Sequence, residues 1–323
     1  MHAHYQSGHV SVVQMAVLRD LAGEERADYF RGIQPIWGGG LDEARFGLFQ
    51  RRLADSPEAA GRYRLLGWFE GARMVSAMKA YDLRGSCARR PLKLFGIGAV
   101  FTPPELRRKG HAAAMLRAAM DDYRRKGAQA AVLFSDIEIE YYERLGFRVV
   151  ESRECSVETG ALPKPAGDFR PATAGDEEQM TRIFSASRAQ ETRFALARDG
   201  WTLRFQLRRL RELARARGIG EPEWGIVVEP DAAAMIRYGR DTVDVLEAGW
   251  IGEGARSVLL SGLRDCMQRA GRQRLRFWPV AQMRGLFEPQ ERTSAIAMIA
   301  PLDDTAPLPE RNGPTELALL DHI

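Results

Sequence analysis

The chain has 323 residues, 45% hydrophobic and 28% charged, with 47 Lys and Arg against 43 Asp and Glu. That length is long for one compact domain and comfortable for two, and the composition is that of a globular protein with a core large enough to need no disulfide staples. No apolar run reaches the roughly twenty residues of a membrane span, the start has no secretory h-region, and the net charge of +4 comes without the interleaved basic and aromatic residues of an RNA-binding motif.

These absences set the expectations: a cytoplasmic protein with no membrane and no nucleic-acid partner. Cys87, Cys155 and Cys266 are odd in number and have no CxxC pairing, and no His or carboxylate pair shows ligand spacing, so no metal is expected.

In chain order, residues 18–30 and 41–53 read as amphipathic helices, joined at Trp37 and three glycines. Residues 63–70 and 73–81 form a hairpin, and 92–100 is an alternating strand that stops at Pro103 and Pro104. Ala112, Met115, Leu116, Ala119, Met120 and Tyr123 then fall on one helical face. Gly127 can take the left-handed cap. Residues 130–134 are a short apolar run, as a strand buried on both faces should be, and residues 147–151 and 155–158 would close the sheet.

Between strand and helix lies a basic, glycine-bearing loop, Leu106, Arg107, Arg108, Lys109, Gly110, His111 and Ala112. Unpaired backbone NH groups and the positive end of the helix dipole point outward there, which makes an anion site. Gly110 lets a phosphate approach the main chain, and the three cations add charge. A diphosphate would fit.

A linker rich in proline and glycine follows at 160–171. The second half reads as helices 175–190 and 202–217, strands 224–229, 233–240 and 242–250, helix 255–270, strand 275–279, a helical stub at 282–287 and strand 294–299. This repeats the order of the first half. Its equivalent loop, Gly249 to Ala255, has no basic residue and carries Glu253, which would repel a phosphate at a helix start.

Arg107 to Ala112 matches the Q/RxxGxG/A pattern of the GNAT acetyltransferase superfamily. Tyr141, Tyr142, Glu143, Arg144, Leu145, Gly146 and Phe147 resemble that superfamily's other signature. The tandem order is similar to that of fungal lysine N6-acetyltransferases and of the enhanced-intracellular-survival acetyltransferases.

The resemblance implies an α/β protein with a mixed sheet, the GNAT acyl-CoA N-acyltransferase fold in two tandem copies, the second degenerate. Expected boundaries are a catalytic domain at 1–159, the linker at 160–171, a degenerate domain at 172–303 and a tail at 304–323. It further implies acetyl-CoA as cosubstrate, direct attack by a primary amine, and no covalent intermediate.

The expected cofactor contacts are Arg107, Arg108, Lys109, Gly110, His111 and Ala112 in the loop, Ala99, Val100 and Phe101 at the strand end, and Ser135. Tyr142 is the expected acid for the departing thiolate, since a phenol of ordinary pKa about 10 suits that task. The strand at 94–100 offers no carboxylate base, which leaves Asp82 and the α-carboxylate of Ile323. Phe30, Trp37 and Phe46 could wall the acceptor groove, although packing in the core explains them as well. The acceptor is a small-molecule or lysine-bearing amine; the alternatives are an aminoglycoside or polyamine, or a non-catalytic acyl-CoA sensor.

Overall fold

The computed structural model describes residues 16–136, 139–188, 193–220, 223–228, 230–279, 283 and 285–322. Two twisted sheets carry the chain. The first runs β1 (Ala16–Asp20), β2 (Tyr63–Glu70), β3 (Arg73–Cys87), β4 (Arg90–Phe101), β5 (Ala130–Ser135), then β15 (Ile296–Pro301) and β6 (Arg148–Val149). The second runs β14 (Gln290–Glu291), β7 (Arg153–Glu158), β13 (Arg274–Phe277), β12 (Thr242–Trp250), β11 (Ala232–Tyr238), β10 (Gly225–Val228) and β8 (Arg170–Pro171).

Residues 18–20 are not helical as expected. They belong to β1, which pairs antiparallel with β2 from Ala16 against Glu70 to Asp20 against Leu66. The helix α1 spans Gly23–Trp37, and its start is held by the Glu25 carboxylate accepting the Ala22 NH at 2.9 Å. The next helix, α2 (Glu43–Ala54), is capped by Asp42, which accepts the Arg45 NH. Both cover one face of the first sheet, burying Tyr29, Phe30, Ile33, Phe46 and Phe49 against Tyr81 and Leu83. The helix α3 (His111–Arg125) covers the other face with Met115, Leu116, Ala119 and Tyr123.

The two halves exchange strands. β15, expected to finish the second half, pairs antiparallel with β5 from Ile296 against Ser135 to Pro301 against Ala130. β7, expected to finish the first, pairs with β13 in the second sheet from Glu158 against Arg274 to Cys155 against Phe277. Each closing strand therefore completes the other half's sheet.

The second sheet is backed on one face by α7 (Glu253–Arg269) and on the other by α5 (Glu177–Arg188), whose Met180, Ile183 and Phe184 are buried with Met235 and Leu246. The long α6 (Gly200–Ala216), capped by Asp199, packs back against α2. Arg62 ties this junction by pairing with Asp199 at 2.6 Å and stacking over Trp201, whose indole NH donates to the Glu58 carbonyl at 2.7 Å. Among the described residues no helix is long and apolar enough to cross a membrane.

Candidate functional site

The site begins where β4 and β5 part. They pair in parallel from Leu94 against Ala130 to Ile97 against Leu133, and the pairing stops there. On its other side β4 loses register with β3: Lys79 faces Gly98 but Ala77 faces Phe101, so β4 carries an extra residue. Ala99 absorbs it with φ +46, a conformation that costs a residue with a Cβ. Its carbonyl accepts the Tyr29 hydroxyl at 2.7 Å, and the Phe101 carbonyl accepts Ser76 Oγ at 2.8 Å. The bulge bends the strand away from β5 and opens a notch beside it.

Past the notch the chain turns through Pro103 and Pro104 into the loop, where Arg108 and Gly110 both take left-handed conformations, φ +61 and +84. Gly110 is the N-cap of α3 and offers no side chain to the helix start, so the first-turn NH groups lack an internal partner. Arg107 is steadied by its Nε donating to the Thr102 carbonyl at 3.1 Å, while Arg108, Lys109 and Gly110 are exposed. His111 Nδ1 lies 3.0 Å from Glu70 Oε1, an anchor of the helix start onto β2, with Ala112 next to it in the first turn.

The notch leads into a cavity of 460 Å³ lined by Ala99, Val100, Phe101, Arg107, Ser135 and Tyr142. Tyr142, on α4 (Ile139–Glu143), is buried against Tyr141 and Phe147. Burial pushes its phenol up, and neighbouring Tyr141 adds to the shift, so it stays protonated through neutral pH. The Tyr141 hydroxyl is instead buried with no partner among the described residues.

Asp82 does not share this space. Side chains alternate along β3: Lys79 and Tyr81 line the cavity, whereas Asp82 lies on the α3 face near Tyr123, Arg84 and Lys126. As the expected base it is therefore on the wrong side of the sheet. Ile323, the other expected base, lies outside the described residues. Of the expected groove residues, Trp37 and Phe46 line the cavity and Phe30 packs in the core.

The far wall comes from the second half, through residues that the sequence alone does not single out. Phe205, Arg209 and Leu213 on α6, Arg217 just after it, and His322 near the last described residue all face the cavity. The His322 ring rests near Phe134 and Trp278, and burial, with Arg209 next to it, pushes its imidazole down to about 4. The arginine-rich face of α6 was the available signal, but helical spacing does not say what such a face meets.

The second half builds the same bulge and fills it. Met235 opposes Glu247 while Ile236 opposes Val245, so β12 carries the extra residue. Glu247 is fully buried and takes both Arg188 and Arg198, and Arg198 also donates to both oxygens of Asp321, at 2.6 and 2.7 Å. Leu319 and Leu320 pack beside it against Leu246 and Trp278. The place that opens as a notch in the first half is thus plugged by the segment Ala318–Asp321. The side chain of Glu253 is not among those described.

Residues 41–150 match the family profile described as an acetyltransferase (GNAT) domain. No curated protein matches the chain by sequence. Among solved structures, the chain is similar to a GCN5-related N-acetyltransferase from Kribbella flavida, with TM-score 0.67 and 18% identity over 90% of this chain and 71% of that one. It is also similar to a probable N-acyltransferase from Enterococcus faecalis (0.66, 14%, 90% and 73%). A third is Eis1 from Mycobacterium abscessus (0.56, 16%, 90% and 74%).

Proposed function

We propose that this chain, which belongs to the GNAT superfamily of N-acetyltransferases, moves the acetyl group of acetyl-CoA onto a primary amine held in the 460 Å³ cavity. One observation carries the reading: Arg107 at the start of the loop, the opened bulge at Ala99 and the Tyr142 phenol line the same cavity, and the uncapped start of α3 at Gly110 follows three residues after Arg107. The second half keeps the bulge but fills it, so a single cofactor site per chain is proposed.

The loop of Arg107, Arg108, Lys109, Gly110, His111 and Ala112 would take the diphosphate through backbone NH groups and charge. The free edge of β4 at Ala99 and Val100 would bond the pantetheine arm. With the thioester aimed into the cavity, the amine lone pair attacks its carbonyl carbon, a C–N bond forms and the C–S bond breaks. Tyr142 gives its proton to the leaving thiolate. The surplus proton of the amine passes to a group in the wall, for which Asp136 and the neutral His322 ring are the polar residues in place.

The test is release of free CoA thiol from acetyl-CoA with a panel of primary amines, with product mass gain of one acetyl group. Tight acetyl-CoA binding without thiol release with any amine would defeat this reading and favour an acyl-CoA sensor.

A further inference from the structure

Among the described residues, the cations on the amine side of the cavity have no carboxylate partner. Lys79 reaches that side from β3 and Arg209 from α6; burial, and after it the nearby guanidinium, lowers the lysine's basicity. Arg217 closes the same wall beside Gly39. Among the described residues none of the three pairs with a carboxylate; Arg209 donates to the carbonyl of His322 at 3.0 Å and to the Gln206 side chain. The one carboxylate among the described lining residues, Asp136, follows the end of β5 and accepts the Ala295 NH.

Around these cations the surface is apolar, built from Phe46, Phe49, Tyr81 and Phe205. Like charges gathered in a partly desolvated, aromatic-walled space are unfavourable by themselves. A bound anion removes that penalty. A polycation adds to it.

We infer that the acceptor is an amine that also carries a carboxylate on an apolar or aromatic body, with the carboxylate seated between Lys79 and Arg209 and the body against Phe46, Phe49 and Phe205. This rests on the acetyl-transfer reading of the same cavity. It excludes polyamines and aminoglycosides as good acceptors, because both bring several positive charges to a wall that already holds Arg209, Arg217 and, at and below about pH 7, a protonated Lys79.

The test uses the full chain in two arms. In the first, kcat/KM is compared for phenylalanine, its decarboxylated counterpart phenethylamine, and spermidine. Wild type should favour phenylalanine over either by about tenfold or more, the scale of one charge-assisted contact. Lys79→Met should shrink that ratio to near unity, and Lys79→Arg should keep it.

In the second arm, 3-phenylpropanoate, which has the carboxylate and ring but no amine, should raise the Tm of wild type and not that of Lys79→Met. Equal or better turnover of phenethylamine or spermidine, together with no shift by 3-phenylpropanoate, would overturn the inference while leaving acetyl transfer intact. A Lys79-dependent shift without thiol release from any amine would sustain the carboxylate seat and remove the acetyl-transfer reading instead.

Discussion

The hydroxyl of Tyr29, on α1, donates to the carbonyl of Ala99 at the bulge of β4 across 2.7 Å, and Tyr29 is completely buried. One helix thereby sets the geometry of the strand whose free edge borders the notch. Tyr29→Phe would remove that partner from a half-buried carbonyl, at a cost of about 1 kcal/mol. The expected outcome is a lower Tm together with about a tenfold loss in kcat/KM for acetyl-CoA. Thermal unfolding and steady-state thiol release check both.

Tyr142→Phe removes a proton donor and little volume. Loss of general acid catalysis is expected to lower kcat by about 10²-fold or more, with acetyl-CoA affinity within about twofold of wild type. Full turnover in the variant would remove Tyr142 from the mechanism.

At Gly110 no heavy atom stands within 4 Å of where a Cβ would sit, so crowding is not the constraint; the φ of +84 is. Gly110→Val should destabilise by about 1–2 kcal/mol through that conformation. It should also weaken acetyl-CoA binding by more than its effect on Tm suggests, since the branched side chain stands over the NH groups proposed to take the phosphates. Calorimetric titration with acetyl-CoA measures this directly.

Burial, with Arg209 next to it, lowers Lys79 to about 7 from an ordinary value of 10.5. Between pH 7 and 10.5 the unfolded chain binds this proton and the folded chain does not, so Lys79 makes stability rise with pH across that window. Below pH 7 its full penalty is present. Lys79→Met should therefore stabilise the protein, on the order of 2 kcal/mol at pH 6, with the gain shrinking as pH approaches 10. Denaturant unfolding at several pH values gives the curve, and a gain independent of pH would contradict this origin.

Arg198 is enclosed between Glu247 and Asp321. Replacing it with Met leaves two buried carboxylates without their shared cation, an effect of about 3–5 kcal/mol. The segment Ala318–Asp321 should loosen, so His322 would leave the cavity wall. Faster proteolysis near residue 318 and reduced turnover are expected together.

The loop from Leu106 to Ala112, the helix after it and the Tyr142 segment were legible because each is local: a glycine needed at positive φ, one helical face, one aromatic pair. The apolar alternation of residues 92–100 also fixed the strand, though not the extra residue at Ala99, which nothing in an Ala side chain signals. Residues 18–20 read as helix because their apolar spacing is continuous with that of α1, and only the pairing with β2 makes them a strand. Asp82 reads as a candidate base because alternation along β3 does not say which of its faces meets the cavity. The residues of the far wall are not legible because Arg209 and His322 are 113 residues apart, Arg209 is nearly as far again from the loop, and their meeting depends on how α6 packs on α2.

The strand exchange has a consequence for inheritance as well as for folding. If the chain arose by doubling of one GNAT unit, the copies became interdependent once β7 and β15 changed places, since a cut at the linker leaves each sheet short of a strand and with an open edge. The second copy could then lose its own chemistry and still not be discarded, because it holds the strand against which β5, and with it the end of the notch, is aligned.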